Sequence, residues 1–249
     1  MKIKIENGKE FANMLVFASG VLTEARMLVT NEGISIREMD AARVALVSID
    51  LPIEGFKEYP EIEESLQIGL SLDEIIKWMR KVKPKDALIL DIDFPAIKFI
   101  IDGNYRRYIK YTSIEMGEET VPMPAIELKA VYDLPTKLLR DVVESADIVG
   151  GHLEIKGDNF ELEFKGTIDT SEYGSTIKMD DDTIHSIETL GENEEHISKY
   201  TVSYLKSLVK NNMGEQVRIK FSHDMPLMLE YRYEHATVTA FLAPRIEED

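Results

Sequence analysis

Not one cysteine occurs in the 249 residues, so disulfides and thiolate metal sites are excluded. An intracellular setting fits that absence. Long apolar runs are missing too: no stretch approaches the roughly 20 residues of a membrane span. The start, Met1-Lys-Ile-Lys-Ile-Glu, alternates like a strand and lacks signal-peptide architecture. Histidines are few and scattered (His152, His185, His196, His223, His235), with no His-x₃-His pair on a helix. No Gly-x-Ser-x-Gly elbow, phosphate loop or dinucleotide fingerprint occurs. The chain therefore reads as a non-enzyme with no cofactor and no metal. The acid runs Asp180–Asp182 and Glu247–Asp249 read as solvated charge.

Base is also scarce. Against 46 Asp and Glu stand 29 Lys and Arg, a net charge of −17. Taken as a total, that opposes a nucleic-acid partner, because phosphate demands cations. Its distribution says more. Residues 72–85 hold Lys77, Arg80, Lys81, Lys83 and Lys85 against Asp73 and Glu74, a balance of +3. Residues 201–210 hold Lys206 and Lys210 with no acid. Residues 9–26 are neutral, Lys9 and Arg26 facing Glu10 and Glu24, and 136–147 stand at −1. Base gathers on predicted helices and acid on sheets and loops. Charge alone fits solvated helix faces equally well.

What is present is a pattern stated four times: an amphipathic helix of roughly three turns, then short alternating strands. The statements run over 9–52, 71–112, 136–179 and 201–244. Their apolar stripes are Phe11, Met14, Leu15, Ala18, Leu22; Leu72, Ile75, Ile76, Met79; Leu139, Val142, Val143, Ala146; and Val202, Leu205, Leu208, Val209. One face of each helix packs on a sheet and the other stays open. The class is α+β: two similar domains, each with two helices packed on antiparallel sheets. Residues 113–127, with Pro122 and Pro124 two apart among acids, read as an extended connector between domains 1–112 and 128–249. Asn31-Glu-Gly and Gly157-Asp-Asn mark turns at matching places.

Two strands, Tyr105–Thr112 and Gly174–Met179, read as sheet edges that must be blunted or paired. Pairing one copy's first edge with the next copy's second is heterologous and closes a ring or runs on as a filament. Lys81, Lys83, Arg106, Arg107 and Lys110 lie at one edge. Asp141, Glu144, Glu172, Thr176 and Lys178 lie at the other, with Asp180–Asp182 as further acids.

Three local sequences bear on the family. Met39-Asp-Ala-Ala-Arg-Val-Ala-Leu-Val follows the first turn, Asp224-Met-Pro-Leu-Met-Leu-Glu-Tyr opens a late strand, and Phe241-Leu-Ala-Pro-Arg-Ile-Glu closes the chain. With the double repeat and the connector, they resemble the sliding clamps of the proliferating cell nuclear antigen (PCNA) family in its archaeal-length form. The resemblance implies a closed ring, usually a homotrimer, whose helices surround double-stranded DNA without regard to sequence. It implies a cytoplasmic, nucleoid-associated processivity factor for DNA replication and DNA repair, with no membrane role. Implied partners are DNA polymerase, clamp loader, flap endonuclease and DNA ligase, held through PCNA-interacting peptides. By position, Lys9, Lys77, Arg80, Lys137, Arg140, Lys206 and Lys210 would face DNA. Asn13, Met14 and Gly20 stand where relatives often carry lysine, which predicts a weakly basic channel. The peptide groove would be built from Met39, Arg43, Val44, Leu46, Val121, Met123, Pro124, Pro226, Phe241, Ala243 and Pro244, with Leu46 and Phe241 also readable as core. Two alternatives stay open: a subunit of a heterotrimeric clamp, and a protein-only scaffold with weak DNA binding.

Overall fold

The computed structural model describes residues 1–117, 120–168, 170–179, 185–186, 190–191, 194–210 and 213–245. The acid runs Asp180–Asp182 and Glu247–Asp249 lie outside the described residues. The chain divides into two compact units. The first takes Met1–Ala41, Val47–Pro122 and Tyr233–Val238; the second takes Ala42–Leu46, Met123–Arg232 and the chain from Thr239 on.

In chain order the first elements are β1 (Lys2–Ile5), α1 (Gly8–Ala18), β2 (Glu24–Thr30), β3 (Gly33–Met39) and β4 (Ala45–Pro52). Then come β5 (Leu66–Ser71), α2 (Leu72–Met79), β6 (Ala87–Asp93), β7 (Ala96–Asp102) and β8 (Arg106–Thr112). The second repeat has β9 (Ala130–Pro135), α3 (Thr136–Val149), β10 (His152–Gly157), β11 (Glu161–Ile168) and β12 (Ser171–Lys178). It continues with β13 (His185–Ser186), β14 (His196–Thr201), α4 (Val202–Leu208), β15 (Gln216–Phe221), β16 (Leu227–Arg232) and β17 (Thr237–Leu242). The α+β expectation, with four helices each followed by antiparallel strands, is what the structure shows.

In the first unit, β1-β6-β7-β8 form one sheet and β4-β3-β2-β5 run in a second. In the second unit the corresponding orders are β12-β11-β10-β14 and β13-β9-β15-β16. Pairs such as β6–β7, with Leu88 opposite Ile101 and Leu90 opposite Phe99, place alternate residues in the core. The predicted stripes are all buried, and α1 packs beside α2 as α3 packs beside α4. Gly8 lets α1 approach β6: a Cβ there would lie 2.7 Å from the Asp86 carbonyl oxygen and the Leu88 nitrogen.

Helix lengths depart from expectation. Helix α1 stops at Ala18, where the Ser19 and Leu22 amides donate to Leu15 and Ala18 and those of Gly20 and Val21 make shorter bonds to Phe17 and Ala18. The chain then turns into β2 to pair with β5, Glu24 opposite Ser71. Arg26 and Glu24 therefore leave the helix, and Leu22 is buried beyond its end. Helices α2 and α4 have only 8 and 7 residues, so Lys81, Lys83 and Lys85 lie past the end of α2.

Buried tyrosines tie turns to the second unit's core. Tyr132 donates to the Asp158 carbonyl at 2.9 Å and Tyr231 to that of Leu208 at 2.8 Å. Burial raises the Tyr132 and Tyr200 phenols above the ordinary value, so both remain donors at neutral pH.

Gly8→Ala should cost about 1–3 kcal/mol, because the added methyl meets backbone rather than a movable side chain. Urea unfolding checks this; a midpoint equal to the parent's would show that α1 can retreat from β6 without loss.

Candidate functional site

The open faces of the helices carry five of the candidate cations, while Arg80 and Lys210 lie just past the ends of α2 and α4. On the first unit Lys77 and Arg80 are exposed and Lys9 is half-buried; on the second Lys137 is exposed. None of these four makes an ion pair among the described residues. The remaining three are already engaged. Arg140 lies 3.2 Å from Asp141 and 3.6 Å from Glu144 on its own helix. Lys206 bonds Asp147 across from α4 to α3, which raises its pKa. Lys210 is half-buried with a neighbour of its own. Asp141 and Glu144, expected at the subunit edge, also lie within ion-pair distance of Arg140, Glu144 four residues along the same helix.

Both edges read from the sequence are edges in the structure. No described residue donates or accepts a backbone hydrogen bond on the outer side of β8 or β12. Of the remaining edges, β13 is only two residues long; on β1 the Lys4 amide donates to the Glu58 carbonyl, and the Lys57 amide donates to that of Lys4. On β14 the carbonyls of Ile197 and Lys199 accept from Asp224 and Arg245. Around β8, Arg106 pairs with Asp102 at 2.9 Å. Arg107 donates to the Lys81 carbonyl at 2.9 Å and lies 3.4 Å from Asp86. Lys81, Lys83 and Lys110 are exposed, as are Glu172, Thr176 and Lys178 on β12. The sequence reading missed the apolar component here. Tyr105 and Tyr108 at β8 are 64% and 61% exposed, and Ile148 at the end of α3 is 87% exposed. Their signal was present: large apolar residues outside the packing stripes.

The connector's entry belongs to the first unit. The Ile114 amide donates to the Gly69 carbonyl at 3.1 Å, and the Gly69 amide donates to Ser113 Oγ at 2.9 Å. A Cβ on Gly69 would sit 2.2 Å from the Ile114 oxygen, so glycine is what allows the connector to cover the β5 edge. Buried Arg26, 8% exposed, donates to the Gly117 carbonyl and lies 3.9 Å from Glu38. Burial raises the Glu38 pKa, while the Arg26 charge pulls it back.

Nine of the candidate groove residues lie in the second unit, and its hydrogen bonds draw several together. The Ala243 amide donates to the Val44 carbonyl at 2.8 Å. Arg245, next to Pro244, is bonded to β14. The turn before Pro226 is held to the same strand: Tyr200 and Ser198 both donate to the Met225 carbonyl. Arg43 (φ 58°) and Asp224 (φ 51°) are left-handed residues other than glycine; such backbone clusters at binding sites. Nothing in the residue types announces it. Val44, Pro124, Pro226, Ala243 and Pro244 are half-buried, while Arg43 and Met123 are exposed. Phe241 and Leu46, at 7% and 2% exposure, are core residues beneath that surface. Met39 and Val121 are half-buried in the first unit. A first-unit cavity of about 680 Å³, lined by Glu32, Arg37, Asp50 and His235 among others, contains none of the candidates.

Comparisons with known proteins agree along the whole chain. Residues 1–120 match the family model described as proliferating cell nuclear antigen, N-terminal domain. The DNA polymerase sliding clamp of Pyrococcus furiosus is 33% identical over 250 residues, covering 99% of both chains. That of Thermococcus fumicolans is 32% identical over 252 residues, again with 99% of each covered. Among solved structures, PCNA from Thermococcus kodakaraensis superposes with a TM-score of 0.88 at 24% identity, covering 98% of this chain and 99% of that one. PCNA from Entamoeba histolytica gives 0.89 at 17% identity, covering 98% of each.

Replacing Arg26 by Met should strip Glu38 of its compensating charge. A carboxyl whose folded pKa is raised binds more protons folded than unfolded, so stability falls as pH rises from the ordinary 4.5 through the raised value. The variant's deficit against the parent should therefore widen across that window in thermal melts. A deficit independent of pH would separate Glu38 from Arg26.

Proposed function

Because the chain belongs to the proliferating cell nuclear antigen family of DNA polymerase sliding clamps, we propose that three copies close head to tail into a ring around duplex DNA. The ring holds replication and repair enzymes at their substrate. The observation that carries this reading is the pair of long bare edges, β8 and β12, on a chain whose β1, β5 and β14 edges are covered by its own backbone. A strand edge is a row of unmet donors and acceptors, and the β8 edge of one copy can complete the β12 edge of the next. Exposed Tyr105, Tyr108 and Ile148 would add apolar area. Lys81, Lys83, Arg106, Arg107 and Lys110 would meet Glu172 and Thr176. Individual surface pairs contribute little, so ladder bonds and apolar burial carry the contact.

Sliding then follows from weak, sequence-blind contacts. Cations on the open helix faces meet phosphates and read no base. Few contacts give shallow wells, and topological closure supplies retention in place of affinity. Nothing in this scheme breaks or makes a bond, consistent with relatives named as clamps. Client peptides of DNA polymerase, clamp loader, flap endonuclease and DNA ligase would lay apolar side chains against Val44, Met123, Pro124, Pro226, Ala243 and Pro244. Adaptable Met and rigid Pro suit that role. The domain division at 1–112, 113–127 and 128–249 is part of this proposal, with the connector as one wall of the groove.

Light scattering tests the ring directly. The purified chain should show about three times its 28.4 kDa, held on dilution at moderate salt. A single-chain mass throughout would favour completion by paralogous subunits. For the groove, Met123→Ala is the informative variant, since Met123 is 37% exposed and Phe241 is buried. It should weaken client-peptide binding several-fold in titration calorimetry with the melting temperature unchanged; an unaltered Kd would remove Met123 from the groove.

A further inference from the structure

The open face of α3 carries more acid than base, three carboxylates against two cations. With Leu139, Val142, Val143 and Ala146 buried, Lys137, Arg140, Asp141, Glu144 and Asp147 all fall on the opposite side. The acids are not idle there. Arg140 is held at 3.2 Å by Asp141 and lies 3.6 Å from Glu144, and only 17% of its side chain is exposed. Asp147 reaches across to α4 and takes the ammonium of Lys206. The first unit is arranged differently. Lys77 and Arg80 are exposed, Lys9 is half-buried, and none has an ion pair among the described residues.

We infer that Asp147, backed by Asp141 and Glu144, is an internal competitor for phosphate that withholds Lys206 and Arg140 from the duplex. DNA contact then falls to Lys9, Lys77, Arg80 and Lys137. The inference rests on the DNA-encircling reading. Its physical basis is ion bookkeeping. A free lysine that meets a phosphate releases about 0.9 counterion from the DNA. A lysine taken from a carboxylate leaves that carboxylate to recruit a cation from solution, so net release falls toward zero. The phosphate must also approach an anion that the lysine no longer masks, within a Debye length of about 8–10 Å. A paired lysine thus adds little affinity and little salt dependence, and Asp147 acts through Lys206 rather than by touching DNA.

The test is the salt dependence of binding to a short linear duplex, read by fluorescence anisotropy between 50 and 200 mM salt, on the assembled protein. Asp147→Asn should steepen the log–log slope by about 0.9 for each Lys206 that reaches a phosphate, about 3-fold more affinity lost over that range per contact. Removing any acid strengthens the general field, so a double-mutant cycle isolates the pair. Lys206→Gln should change the slope little in the parent and abolish the gain in the Asp147→Asn background. An unchanged slope for Asp147→Asn, or equal effects of Lys206→Gln in both backgrounds, overturns the inference. Lys77→Glu with Arg80→Glu serves as the control on the reading beneath it. If that pair weakens binding while Asp147→Asn does nothing, the DNA reading stands and the competitor role falls. If it leaves binding unchanged, the helix faces do not meet DNA and both fall.

Discussion

Every sheet ends in a strand whose outward amides and carbonyls need partners, and how this chain meets that need arranges the rest of the molecule. An unmet backbone group away from water costs on the order of 1–3 kcal/mol, and even in water a bare edge invites another strand. Strand β1 is covered by Lys57 and Glu58, β5 by the connector's entry at Ile114, and β14 by Asp224 and Arg245. On the proposed reading, two of these covers, those of β5 and β14, also border the peptide groove. The connector starts as an edge cover that Gly69 admits. The half-buried surface of Val44, Pro226, Ala243 and Pro244 is assembled by segments whose other task is to close β14. The left-handed backbone of Asp224 fits the same economy: its amide meets Ile197 only if the chain turns sharply there.

Much of this was legible in the sequence because periodicity is a local record of burial. The stripes Leu72, Ile75, Ile76, Met79 and Leu139, Val142, Val143, Ala146 are buried as spaced, and the strands following each helix pair as antiparallel hairpins. Helix ends were less legible. Helix α1 reads on past Ala18 because Leu22 keeps the phase, yet the pairing of Glu24 with Ser71 claims the chain first. The misplacement of Arg26 follows from that. It looks like a surface cation closing a helix and is instead a buried tether for the Gly117 carbonyl. A pattern rule assigns a charge to solvent unless a partner is known, and Glu38 and Gly117 are partners only in three dimensions.

Ion pairs were illegible for the same reason. Arg140 with Glu144 could be foreseen from four-residue spacing, but Lys206 with Asp147 joins residues 59 apart. Among the groove candidates the sequence left Leu46 and Phe241 readable as either surface or core, and the structure buries both. Phe241 and Met123 are both large and apolar, and only their burial tells them apart.

The net charge of −17 bears on how tightly such a protein can hold a polyanion. Long-range attraction cannot recruit it, since at physiological ionic strength fields fade within about 8 Å. Local cations must act at contact distance, and the sequence supplies few of them. On the proposed reading that scarcity is compatible with the task. A ring that cannot dissociate without opening gains nothing in retention from deep phosphate contacts, and each one adds friction to its travel. Acids that occupy neighbouring cations keep the wells shallow, while the cations they hold still help solvate the helix faces. The same economy explains why cohesion has to come from elsewhere. A chain this acidic repels its own copies, so closure must rest on backbone ladders and buried apolar side chains, which salt does not screen. The exposed tyrosines at β8 and Ile148 at the end of α3 are therefore the side chains from which such cohesion would be drawn.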